Sequence, residues 1–142
     1  VSTDLSELYQ SVILDHNKSP RNFHEMPEAT AQAEGRNPLC GDAYTVWLKV
    51  DGDQIADASF QGVGCAISKA SASLMTTAVK GKTAAEAETM FEKFHEMLTG
   101  GATDLTGMPA GVKALSGVKA FPMRVKCATL SWHAMREALK QK

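Results

Sequence analysis

No apolar run in this sequence approaches the length of a membrane span, and the opening residues, VSTDLSELYQ, are too polar and acidic to form a secretory signal. Neither sign of charge is in excess: 15 Lys and Arg stand against 16 Asp and Glu, for a formal net charge of −1. That balance gives no argument for nucleic acid or an anionic membrane as a partner. Internal repeats and low-complexity stretches are absent, and 142 residues suit a single domain, 1–142, with a real core. Cysteine is scarce and odd in number: Cys40, Cys65 and Cys127. A widely spaced set of three is a poor disulfide framework. It fits reduced thiols in a cytoplasm, used for metal binding or catalysis. The paired CxxC knuckles of a zinc ribbon are also missing, so spacing alone does not define a metal site.

What is present reads as an α+β domain. Asp4 can cap a first helix over 4–17, with Leu5, Leu8, Tyr9, Val12 and Ile13 as its apolar stripe. Residues 18–36 carry Pro20 and Pro27 without a clear period and read as irregular. Residues 43–50, AYTVWLKV, alternate as a strand; Asp51-Gly52 signals a hairpin, and 54–61 reads as the returning strand. Helices are predicted over 66–80, then to about 98 behind the capping box Thr83…Glu86, and over 110–118. Phe121-Pro122 breaks the chain, and a last helix starts near 124–127 and runs to Lys140. The order, without βαβ repetition, points to a small antiparallel β-sheet packed against several α-helices.

The three thiols sit at the ends of these elements. Cys40 precedes the first predicted strand, Cys65 follows the second at a helix start, and Cys127 falls in the first turn of the last helix. A hairpin brings its entry and exit to the same end, and helix starts favour thiolates. Zinc takes four ligands; three cysteines supply three, and Asp42, in NPLCGD, is the nearest further donor. Gly41, free to take positive φ, lets the chain turn both Cys40 and Asp42 toward one ion. The bland alternative is three unrelated buried thiols, since free cysteine is among the most buried residue types. The glycines beside Cys40 and Cys65 favour a shared site.

Four segments carry a family resemblance: LYQSVILDHNKSPRNF (8–23), NPLCGD (37–42), GVGCAISKASASLM (62–75) and LSGVKAFPMRVKCATLSWHAM (115–135). Together they resemble the IscU/NifU-like family of iron–sulfur cluster assembly proteins over almost the whole chain, and within it the SufU type. The IscU type has a histidine just before its last cysteine, where this sequence has Lys126. The IscU chaperone-recognition motif Leu-Pro-Pro-Val-Lys is absent too, and 82–111 looks like a SufU-type insertion. The resemblance implies a zinc-dependent sulfurtransferase acting with a pyridoxal-phosphate (PLP)-dependent, SufS-like cysteine desulfurase and feeding a downstream iron–sulfur scaffold. It implies zinc held by Cys40, Asp42, Cys65 and Cys127, with Cys40 as catalytic sulfur acceptor. In related complexes a desulfurase histidine takes over the zinc and frees this cysteine. The alternatives are an IscU-type scaffold holding a [2Fe–2S] cluster on the same residues, and a purely structural zinc domain.

Arg124 and Lys126 oppose the dipole of the last helix unless an anion lies nearby, which makes them candidate tuning or docking residues. The histidines offer less. His133 lies nearly two helical turns beyond Cys127, His95 belongs to the inserted helix, and His16 and His24 suit packing or hydrogen bonding near the first helix.

Overall fold

Two successive hairpins build a three-stranded antiparallel sheet in the order β1-β2-β3: β1 (Ala31–Asn37), β2 (Asp42–Asp51) and β3 (Gln54–Val63). The computed structural model describes residues 2–100, 105–119 and 121–141, without the side chains of residues 2–6 and 8. Among the described residues, five helices accompany the sheet: α1 (Ser2–Lys18), α2 (Ala66–Val79), α3 (Ala84–Thr99), α4 (Ala110–Ala114), which continues as a 3₁₀ turn over Leu115–Val118, and α5 (Pro122–Leu139). This is the α+β architecture expected from the element order. None of the described helices is long and apolar enough to cross a membrane.

The alternation along β2 is the organising pattern. Asp42, Tyr44, Val46 and Leu48 are buried under the helices, while Ala43, Thr45 and Trp47 on the other face are half-buried. A bulge at Lys49/Val50 ends the strict pairing with β3. α5 lies across β1 and β2, and α2 packs on α5 and β3. Trp132 of α5 is fully buried; its indole N–H donates to Ser71 Oγ at 3.1 Å, and its ring stacks on Phe94 of α3 at 4.4 Å between centroids.

Several boundaries differ from the sequence reading. β1 falls within the stretch read as irregular. Its sequence, AQAEGRN, has no β-branched or aromatic residue, yet Ala31, Ala33, Gly35 and Asn37 alternate toward the helices. Their small size is what lets α5 lie close: a Cβ on Gly35 would stand 3.1 Å from Leu130 Cδ1 and from the Leu130 carbonyl oxygen. The last helix begins at Pro122, not near 124–127, because a proline at the first helical position needs no N–H partner. Cys127 therefore sits in its second turn rather than its first. α4 stops at Ala114 and tightens into the 3₁₀ turn instead of running to Val118. α1 starts at Ser2, so Asp4 lies inside the helix; the side chains of Asp4, Leu5 and Leu8 lie outside the described residues.

The capping box at Thr83 and Glu86 is formed, and Ala87, Met90, Phe91, Phe94, Met97 and Leu98 are the buried face of α3. The start of α3 is tied to the sheet: Ile55 N–H donates to the Lys82 carbonyl at 2.8 Å, and Ala84 N–H to the Asp53 carbonyl at 2.8 Å. α3 thus closes the core rather than hanging from it. Phe94→Ala is expected to cost about 3–5 kcal/mol in urea unfolding, as for other large-to-small core changes; a loss under about 1 kcal/mol would mark α3 as an appendage.

His16 is buried on α1, with Nδ1 2.7 Å from Ser73 Oγ. Burial, then the charge of Arg21, holds its pKa below the ordinary value. The unfolded chain therefore binds a proton that the folded chain refuses. This contribution is complete above about pH 6.5 and is lost as pH falls through the lower folded pKa. Thermal melts between about pH 7 and 5 should show the decline, and His16→Gln should flatten part of it.

Candidate metal centre

Three element ends meet at one edge of the sheet. Residues 38–41 form the turn between β1 and β2, closed by the pair Asn37↔Asp42 and by Cys40 N–H donating to the Asn37 carbonyl at 3.1 Å. Cys40 thus lies at the tip of a hairpin, with a strand on each side, rather than ahead of the first strand as the sequence reading had it. Gly41 takes φ 72°, the left-handed conformation that returns the chain into β2. β3 then leads through Gly64 to Cys65, the N-cap of α2, whose Sγ accepts the Ser68 N–H at 3.4 Å. From the other side, α5 supplies Cys127, which is buried.

The donor atoms of Cys40, Asp42 and Cys127 all lie within 4.8 Å of one another and form a group that can hold a metal ion. Cys65 is beside them. Its backbone N–H donates to Asp42 Oδ1 at 2.9 Å, and its thiol is close enough to Cys127 to raise that residue's pKa. Three of the four expected ligands form this group, and Cys65 stands next to it with its sulfur accepting the Ser68 N–H at its helix cap.

Two features of the site favour a cation. Asp42 is 2% exposed, a carboxylate on the core-facing side of a strand, and its Oδ2 is buried without a hydrogen-bond partner. A carboxylate so placed is costly unless a charge or donor meets it. Burial pushes the Cys127 thiol strongly up, and its contacts with Asp42, Cys40 and Cys65 push it further. A bound divalent cation would offset the cost of ionising this buried thiol. The donor set, sulfur with one carboxylate oxygen, suits zinc.

Two residues around the ligands, Ser68 and Tyr44, went unnoticed in the sequence, and Gly64, the glycine beside Cys65, acts with them by leaving space. Ser68 Oγ lies 3.1 Å from Asp42 Oδ1 and 3.1 Å from Tyr44 Oη. Tyr44 is buried, and burial pushes its phenol up to about 12, with Asp42 and the thiols adding to the shift, so it stays a neutral donor. Gly64 makes room for this convergence: a Cβ there would fall 2.4, 2.5 and 2.7 Å from Ser68 Oγ, Asp42 Oδ1 and Tyr44 Oη. One signal was available. Extending the Tyr44, Val46, Leu48 alternation back one step places Asp42 on the core face.

The other candidates lie elsewhere. His95 and His133 face each other at 5.9 Å between ring centroids and pack around Phe91. Burial and the neighbouring His95 hold the pKa of His133 down. His16 bonds to Ser73, and the Nδ1 of His24 to the Glu25 carbonyl at 2.8 Å. Arg124 is exposed, with its guanidinium 4.6 Å from the Phe121 ring centre, and Lys126 is exposed as well.

The family model described as the NifU-like N terminal domain matches residues 8–141. The chain is 43% identical over 138 residues to the zinc-dependent sulfurtransferase SufU of Bacillus subtilis (strain 168), covering 97% of this chain and 93% of the relative. It is 40% identical over 137 residues to the iron–sulfur cluster assembly scaffold protein IscU of Streptococcus pyogenes serotype M1, covering 96% and 86%. A crystal structure from Fervidobacterium islandicum AW-1, described as an iron–sulfur cluster assembly scaffold protein for the SUF system, superposes with a TM-score of 0.88. Its sequence identity is 36%, and the match covers 94% of this chain and 97% of that one.

Gly64→Ala should force apart the atoms that converge there. The purified variant is expected to carry well under one zinc per chain by elemental analysis, where the parent carries about one. Full zinc content in the variant would show that the crowding around Gly64 is irrelevant to the ligands.

Proposed function

This chain belongs to the NifU-like N-terminal domain family, and on that premise we propose that it is a zinc-dependent sulfurtransferase of iron–sulfur cluster assembly. Its sulfur donor is a PLP-dependent cysteine desulfurase of the SufS-like kind, and its product feeds a downstream iron–sulfur scaffold. Cys40, Asp42, Cys65 and Cys127 hold the metal, and Cys40 is the nucleophile.

One observation carries this reading: the four residues are tethered unequally. Asp42 is pinned through Oδ1 by the Cys65 N–H and by Ser68. The Cys65 sulfur caps α2, and Cys127 is buried inside α5. Cys40 stands on a four-residue turn beside Gly41, around which a Cβ would meet nothing within 4 Å. It is the one thiol that can move without unpacking a helix.

Bound zinc keeps cysteines ionised at neutral pH while restraining their nucleophilicity. The Cys40 sulfur, once presented, attacks the terminal sulfur of the desulfurase persulfide. A new S–S bond forms on Cys40, the donor's S–S bond breaks, and the donor cysteine leaves as its thiolate, with no net oxidation. Asp42, Cys65 and Cys127 keep their places throughout.

Large apolar side chains flank this edge and support docking of a protein partner. Leu39, beside Cys40, is 73% exposed, and Val63, ahead of Cys65, is 68% exposed; Phe121 and Met123 open α5. Arg124, resting on Phe121, belongs to the same rim and is our candidate for docking or tuning. Lys126 is a weaker one. The scaffold reading, a [2Fe–2S] cluster on the same residues, has the Streptococcus pyogenes relative in its favour. Against it, the position before Cys127 is an exposed lysine, which offers a cluster no ligand of the usual kind.

With zinc-loaded protein, turnover of cysteine by the desulfurase should rise at least about tenfold, and Cys40→Ala should abolish the rise while leaving the fold intact. Stimulation by the Cys40→Ala variant would refute Cys40 as acceptor. A stable coloured cluster on adding iron and sulfide, with no stimulation, would favour the scaffold.

A further inference from the structure

We propose that Ser68 and Tyr44 are positioning residues of the metal centre, forming a hydroxyl chain, Tyr44 to Ser68 to Asp42, that commits Oδ1 of Asp42 and leaves Oδ2 as its free donor. The inference rests on the metal-binding reading above and extends it from the ligands to what orients them.

Ser68 sits in the first turn of α2, is 1% exposed, and touches two proposed ligands through different atoms. Its backbone N–H donates to Cys65 Sγ at 3.4 Å. Its hydroxyl lies 3.1 Å from Asp42 Oδ1, 3.1 Å from Tyr44 Oη, 3.0 Å from the Cys65 carbonyl and 3.6 Å from Cys65 Sγ. A hydroxyl has one proton to give and two lone pairs. The carboxylate is the charged acceptor in reach, so it takes the Ser68 proton most strongly. Ser68 Oγ then accepts from Tyr44, whose ring is held in the core against Phe60 at 5.9 Å.

The consequence lies in Asp42. Oδ1 already accepts from the Cys65 N–H at 2.9 Å and from Ser68, while Oδ2 is buried with no partner. Two donors on one oxygen fix the plane of the carboxylate and disfavour its rotation. The orphaned oxygen is the one that faces the remaining task. Hydrogen bonds of this kind around ligating residues usually contribute about 10–100-fold in metal affinity. They also act on the half of the site that stays put when Cys40 moves.

The test uses the full chain with Ser68→Ala and Tyr44→Phe. Zinc affinity is read by chelator competition, and ligand geometry by the visible absorption of the Co²⁺-loaded protein. Ser68→Ala should weaken zinc by about 10–100-fold and alter the Co²⁺ bands; Tyr44→Phe should do the same to a smaller extent. Tyr44→Phe removes a single oxygen and keeps the buried ring, so it carries the test if Ser68→Ala fails to fold. Unchanged affinity and unchanged Co²⁺ bands in the folded variants would overturn the inference alone. Failure of the parent protein to bind either metal would overturn the metal reading beneath it as well.

Discussion

A carboxylate on the inward face of a strand dominates this structure. The pleat that buries Tyr44, Val46 and Leu48 also buries Asp42, and among the described residues no cationic side chain forms an ion pair with it. Backbone and hydroxyl donors satisfy Oδ1 but not Oδ2. Beside this carboxylate the chain assembles thiols, and burial together with its contacts to Asp42, Cys40 and Cys65 pushes the Cys127 thiol strongly up. A divalent cation resolves all of these demands together.

The fold can be understood as the means of bringing those groups to one edge. Two hairpins deliver Cys40 and the β3 exit to the same end of the sheet, α2 begins there with Cys65 as its cap, and α5 crosses β1 closely enough to set Cys127 beside them. That crossing is close at Gly35, where a Cβ would meet Leu130 at 3.1 Å. The attachment is unequal by construction. Helix and strand hold Asp42, Cys65 and Cys127, and a turn holds Cys40. The release of the Cys40 thiol that we propose draws on that inequality and needs no separate moving domain.

Much of this was legible beforehand for identifiable reasons. The β2–β3 hairpin announced itself through alternation and Asp51-Gly52, and α3 through its capping box and apolar stripe. Cys40, Asp42, Cys65 and Cys127 could be named because motif segments of the family are distinctive. β1 was not legible, since strands are recognised by bulky β-branched residues and this one uses small residues to admit a helix. The start of α5 was missed because Pro122 reads equally well as a breaker and as a first helical residue. Ser68 and Tyr44 were invisible for another reason. A serine in an alanine- and serine-rich helix and a tyrosine in a strand carry no local mark of whom they touch across 24 and 26 residues of sequence.

The account stands or falls on which sulfur receives the persulfide. The direct measurement is peptide mapping by mass spectrometry after one turnover of the zinc-loaded chain with a cysteine desulfurase and isotopically labelled cysteine. The unequal tethering predicts the labelled sulfur on Cys40, with Cys65 and Cys127 unmodified. Label on Cys65 or Cys127, or on none of the three, would contradict it.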